Sequence, residues 1–122
     1  MENNFATCLN CMDGRTQLPV INWIKDKYPV EYVDMITEPG MVGLLSFEKY
    51  DTGFLKKLNI STNQHGSRHV FVVGHHDCAG NPVSEELHKK QVLLSVGVLK
   101  MLVPSLEVIG LWVDEKFEVN QL

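Results

Sequence analysis

His69-Val70-Phe71-Val72-Val73 is the clearest strand in the chain, and Gly74-His75 follows it directly. An unbroken apolar run of this length implies cover on both faces, as in a parallel sheet. Parallel strands need crossover connections, so the flanking sequence is expected to be helical. Downstream, Asn81-Pro82 predicts a helix start with proline at the first helical position, running through Glu85, Leu87, Leu94 and Val98 to about Leu102. Its middle is apolar nearly all round, which predicts burial, partly against a second subunit. Glu107 to Val113 reads as a further strand, Asp114-Glu115-Lys116 as a turn and Phe117-Glu118-Val119 as a closing edge strand.

Upstream, Asn4 to Asn10 reads as a short buried strand. Thr16 predicts a helix cap, with Pro19 in the first turn and Val20, Ile21, Trp23, Ile24 and Tyr28 at helical spacing. Tyr32 to Thr37 predicts a second strand, ended by Glu38-Pro39-Gly40. Phe47, Tyr50, Phe54, Leu55 and Leu58 predict one amphipathic helix, and Ile60 to Arg68 a polar loop. The order β-α-β-α-β-α-β-β gives an α/β fold of three layers, α/β/α, with a mainly parallel sheet of four strands plus a C-terminal antiparallel edge strand. The crossovers are expected to be right-handed.

The 122 residues suit a single domain over 1–122, and 44% hydrophobic with 21% charged residues is ordinary globular composition. A formal charge of −4 supplies no basic field for nucleic acid or anionic lipid. The stretch Val92 to Val103 is too short and too interrupted to span a bilayer, and the N-terminus lacks the pattern of a secretory signal. Three cysteines in such a chain point to metal binding or reactivity in a reduced, cytoplasmic setting rather than to a disulfide framework.

The chemistry-bearing residues are Cys11-Met12-Asp13-Gly14-Arg15 and His75-His76-Asp77-Cys78. Cys11 follows the first strand; His75 and Cys78 follow the third. In an open α/β sheet both loops lie at the carboxyl edge where ligands gather. Two thiolates and an imidazole have the donor composition of a catalytic zinc site with a fourth position free, where a bound water loses its proton near pH ~7. Asp13 can take that fourth position and shut the site, or orient a zinc-bound hydroxide. Arg15 decides between these states if it pairs with Asp13 and keeps the carboxylate off the metal.

Cys11-x-Asp13-x-Arg15 followed by Gly74-His75-x-x-Cys78 resembles the β-class carbonic anhydrases, zinc enzymes that hydrate carbon dioxide to bicarbonate. The resemblance covers nearly the whole chain, including Val70 to Gly74 and Leu106 to Leu122. It implies zinc on Cys11, His75 and Cys78, Asp13 and Arg15 as a gating pair, and a homodimer or higher homo-oligomer. It also departs from the family. Little precedes the first strand, where members carry a helical arm. Thr37-Glu38-Pro39-Gly40 stands for the usual Arg-Asn-Ala-Gly, Cys78-Ala79-Gly80 for Cys-Gly-Gly, and His76 for a small polar residue. The expectation is a zinc-dependent lyase acting on carbon dioxide and bicarbonate. The alternatives are hydrolysis of carbonyl sulfide or carbon disulfide, and a non-catalytic zinc-binding domain closed by Asp13.

The simpler readings stand beside these. Asp13 suits a helix N-cap, and Cys8, in mid-strand, a small buried hydrophobe rather than a partner of Cys11. Cys8 and Cys11, three apart on a strand, lie ~10 Å from each other on opposite faces. His65, His69 and His88 carry no spacing that marks them. His76 is a candidate proton shuttle, and Glu38 either a pocket residue or a solvated turn residue.

Overall fold

The computed structural model describes residues 4–122. Five strands form one sheet in the order β2-β1-β3-β4-β5. They are β1 (Phe5–Asn10), β2 (Tyr32–Thr37), β3 (His69–His75), β4 (Glu107–Val113) and β5 (Val119–Gln121). The first four run parallel and β5 returns antiparallel to β4. This is the predicted α/β architecture of a mainly parallel sheet with an antiparallel C-terminal edge.

The side-chain alternation of a strand sends neighbouring residues to opposite faces, and the core divides accordingly. Ala6, Cys8, Phe71, Val73, Ile109 and Leu111 pack on one face with Val20 and Ile24 of helix α1 (Gly14–Lys27). Phe71 is fully buried there, with Trp23 and Tyr28 edge-on at 6.3 and 5.1 Å. Leu9, Val70, Val72 and Val108 pack on the other face with α2 (Met41–Ser46), α3 (Thr52–Asn59) and α4 (Glu85–Leu102). Helices on both faces explain why β3 reads as a continuous apolar run. Cys8 is completely buried, as its small-hydrophobe reading expects.

Several element boundaries differ from the sequence reading, each for a local reason. Helix α1 begins at Gly14, not after Thr16. The Asp13 carboxylate caps it by accepting from the Arg15 backbone N–H at 2.9 Å. Thr16 sits inside and donates to the Asp13 carbonyl, so Pro19 lies beyond the first turn. The helix expected from Phe47 to Leu58 is confined to α3, while α2 forms before it, where no helix was expected, and residues 47–51 are a loop. Asp51 caps α3 by accepting from the Phe54 N–H at 2.9 Å, and Glu48 turns the intervening loop at φ +52°. Residues Ile60–Gln64 continue α3 as a π-helical turn instead of a loop. Helix α4 starts at Ser84, whose hydroxyl accepts from Leu87 N–H, so Asn81-Pro82 precedes it. Asn81 is instead buried and donates to Gln91 Oε1 at 2.6 Å. The closing strand is Val119–Gln121, because Phe117 takes the turn's left-handed position at φ +60°. Finally, α4 is not buried all round: Leu87, Leu94 and Met101 are 44, 60 and 85% exposed. Among the described residues no helix is long and apolar enough to cross a membrane.

Candidate metal centre

Parallel strands β1 and β3 are adjacent, with Leu9 opposite Val72. Their carboxyl ends therefore deliver Cys11 and His75 to one spot, and the short loop after His75 returns Cys78 to it. All three are buried, at 5, 2 and 7% exposure, and their ligand atoms lie within 4.8 Å of one another. The sulfurs of Cys11 and Cys78 are 3.8 Å apart. Two sulfurs on a tetrahedral zinc at Zn–S ~2.3 Å lie ~3.8 Å from each other. The thiol pair is thus already spaced as one edge of such a tetrahedron.

His75 completes the fit. Its Nδ1 lies 2.8 Å from the His76 carbonyl, which fixes Nδ1 as the protonated nitrogen. Nε2 is left with its lone pair, buried and without a hydrogen-bond partner. A buried orphaned acceptor costs about 1–3 kcal/mol, so it calls for a donor or an ion. A softer donor set with this spacing fits zinc.

The electrostatics favour a thiolate here. Cys11 is held far below the usual thiol range, first by the Cys78 thiol donating to it, against the opposing effect of burial. His75 and the backbone N–H groups of Gly40 and Asp13 add to this. Cys78 is pushed up by the same contact and by burial, while Gly80 and Asn81 N–H groups pull it down. His75 is raised: burial pulls it down, but the neighbouring Cys11 sulfur and the His76 carbonyl outweigh that.

Asp13 and Arg15 meet beside this trio. Arg15 Nη2 donates to Asp13 Oδ2 at 2.7 Å, and Nε reaches Oδ1 at 3.1 Å. The guanidinium hydrogen bond holds the Asp13 carboxyl down at about 2. Arg15 also donates to the Asp77 carbonyl at 3.1 Å and pairs with its carboxylate at 3.4 Å, so it ties the two loops together. All five residues expected to form the site are brought together: Cys11, Asp13, Arg15, His75 and Cys78. Asp13 is both an N-cap and the partner of Arg15.

Other residues escaped the sequence reading. Gly40 and Gly80 touch backbone to backbone, and a Cβ built on either would lie 2.5 to 2.7 Å from the other. Gly40, at φ +59°, thereby aims its N–H at Cys11. Gly74 has no room for a side chain against Val92 and His88, at 2.6 and 3.0 Å from such a Cβ. His88 is buried behind His75, edge-on to Trp112 at 5.0 Å, and burial, then the nearby His75, holds it down at about 4. A helix histidine ten positions beyond Cys78 offers no metal-ligand spacing signal. His65 and His69 instead pair with Asp34 at 2.7 Å and Glu107 at 3.1 Å, away from the centre. Glu38 is at the surface, 3.8 Å from Lys57. A cleft of about 390 Å³ opens on the His75 and Cys78 flank, with His76, His88 and Trp112 in its wall.

The fold is shared with solved structures. A carbonic anhydrase from Streptococcus mutans superposes with a TM-score of 0.69 at 16% identity, covering 98% of this chain and 81% of that one. An apo carbon disulfide hydrolase gives 0.68 at 15%, with 98 and 79% covered. Tetrameric β-carbonic anhydrases from Sordaria macrospora give 0.63 at 13%, with 99 and 82% covered. No curated protein sequence matches at a significant level. The family model described as "Putative carbonic anhydrase" matches residues 1–122. Fold, donor set and family model agree, and the chain belongs to this carbonic anhydrase family as a divergent member with the β-class fold.

Proposed function

We propose that this carbonic anhydrase-like enzyme is a zinc-dependent lyase that interconverts carbon dioxide and bicarbonate, with the metal on Cys11, His75 and Cys78. The observation that carries the reading is the buried, unpartnered His75 Nε2 facing two sulfurs 3.8 Å apart. Zinc bound there supplies a Lewis acid that brings the pKa of a water to near ~7. The protein's own residues do the rest. Gly40, Asp13, Gly80 and Asn81 N–H groups stabilise the thiolates. The His76 carbonyl fixes the His75 ring. Arg15 occupies the Asp13 carboxylate along one edge, which would keep that carboxylate from serving as a further metal ligand. The remaining lone pairs of Asp13 accept a hydrogen bond from the attacking water and aim its oxygen at the carbon of carbon dioxide. With water and carbon dioxide consumed, bicarbonate and one proton leave.

Carbon disulfide and carbonyl sulfide are the second substrate class, favoured by the likeness to a carbon disulfide hydrolase. Isotope exchange between labelled carbon dioxide and water tests the first reading, and sulfide release from carbon disulfide the second. Exchange that disappears in Asp13→Asn with zinc retained supports the lyase. Zinc at full occupancy with neither activity supports a non-catalytic zinc domain and overturns it. A homo-oligomer in a reduced, cytoplasmic setting completes the proposal. Its supports are three unpaired cysteines, the exposed Leu87, Leu94 and Met101 of α4, and tetrameric relatives by fold.

A further inference from the structure

Among the described residues three other than glycine adopt the left-handed backbone: Glu48 at φ +52°, Asp77 at +57° and Phe117 at +60°. Side chains strain that conformation, and a bulky aromatic strains it most. Such outliers concentrate at functional sites, where surrounding contacts hold them. Two of the three, Asp77 and Phe117, lie in different loops, and both engage Arg15. The Asp77 carbonyl accepts from Nη2 at 3.1 Å, and its carboxylate pairs with Nη1 at 3.4 Å. Phe117, in the β4–β5 turn, places its ring under the guanidinium, with Cζ 6.0 Å from the centroid.

The turn around Phe117 is held by groups other than its ring. Its N–H donates to the Asp114 carbonyl, and Asp114 Oδ1 accepts from the Lys116 and Glu118 N–H groups at 2.9 and 3.0 Å. The ring is 46% exposed and joins neither apolar core. Glycine would take this left-handed position without strain. What phenylalanine adds there is an aromatic face, which attracts a guanidinium. Arg15 is a side chain that needs holding, because it is 47% exposed and long cations lose much rotamer freedom when fixed.

We propose that Phe117 is a positioning residue: its ring, with the Asp77 carbonyl, keeps the Arg15 guanidinium seated on the Asp13 carboxylate. Groups from three loops then fix one cation beside the metal centre. Its effect on turnover rests on the carbon dioxide reading, whereas the seating of Arg15 does not.

Arg15 and Arg68 are the two arginines of the chain, so Arg68→Lys assigns the Arg15 Nε–H signal in nitrogen-15 NMR of reduced protein. Phe117→Leu should speed solvent exchange of that proton about two- to fivefold, the weight of a cation–π contact at an exposed site. Phe117→Tyr keeps the aromatic face and should match wild type. Isotope exchange between carbon dioxide and water should fall by a similar factor in Phe117→Leu at full zinc content. The same change made in Arg15→Ala should cost nothing further, because the ring acts through Arg15. An Arg15 Nε–H indifferent to Phe117→Leu would overturn the proposal, as would a full loss of turnover from that change in Arg15→Ala. Wild type without turnover would sink the carbon dioxide reading and leave the Nε–H exchange to decide this one.

Discussion

Replacing Gly80 by alanine strikes the metal centre without touching a ligand. The new Cβ would stand 2.7 Å from the Gly40 nitrogen and 2.8 Å from the Pro39 carbonyl carbon. Both obstacles are backbone, so no side chain can swing away. Relief from 2.7 Å to an ordinary 3.4 Å contact means opening the two loops by 0.7 Å. That displacement carries the Gly40 N–H off Cys11 and shifts the Gly80 and Asn81 N–H groups that face Cys78. Loss of such outer-shell donors typically weakens metal affinity 10–100-fold, or about 1.4–2.7 kcal/mol. The assay is competition for zinc against a chelating indicator, with thermal unfolding in parallel. Gly97→Ala serves as the control: nothing lies within 4 Å of its Cβ position in exposed α4. It should leave zinc affinity unchanged and stabilise the protein by up to ~1 kcal/mol through helix propensity. Unaltered zinc affinity in Gly80→Ala would refute the reasoning that the glycine contact positions the thiolate donors.

Arg15→Ala frees the Asp13 carboxylate to approach the fourth coordination position. Solvent screening at the half-exposed Arg15 keeps the effect of losing its charge-assisted bonds to Asp13 modest. Turnover in isotope exchange should fall about tenfold or more, with zinc content intact; full turnover would contradict the gating role. His88, held at about 4 against an ordinary 6.5, makes stability pH-dependent. As pH falls, the unfolded chain takes up the proton first, so the stabilisation is complete above 6.5 and is lost between 6.5 and about 4. The loss has a ceiling of about 3 kcal/mol. Denaturant unfolding of zinc-loaded His88→Gln should show a flatter acid limb than wild type, and an identical slope would rule this out.

The strands were legible because their signal is local. Tyr32 to Thr37 and Glu107 to Val113 coincide with β2 and β4, and the apolar run from His69 locates β3. Helix ends were harder, because capping competes among neighbours. Asp13 displaces Thr16 as a cap, and Ser84 displaces Asn81, whose amide is used on Gln91. The loop before α3 was read as helix because Phe47 mimics a core position while being 65% exposed, and the six-residue α2 is too short to show a period. The meeting of Cys11, His75 and Cys78 followed from strand order, since adjacent parallel strands end at one edge. The Gly40–Gly80 contact, the Asp77 anchor of Arg15 and the His88–Trp112 pair did not. They arise from how loops and α4 seat on one another, which no spacing along the chain encodes.

X-ray absorption at the zinc edge of purified, reduced protein addresses the central claim directly. Two sulfurs at ~2.3 Å, one imidazole nitrogen at ~2.0 Å and one light oxygen atom are predicted, at one such ion per chain and with both sulfurs lost stepwise in Cys11→Ser and Cys78→Ser. Protein that binds no zinc, or binds it without sulfur, would contradict the account.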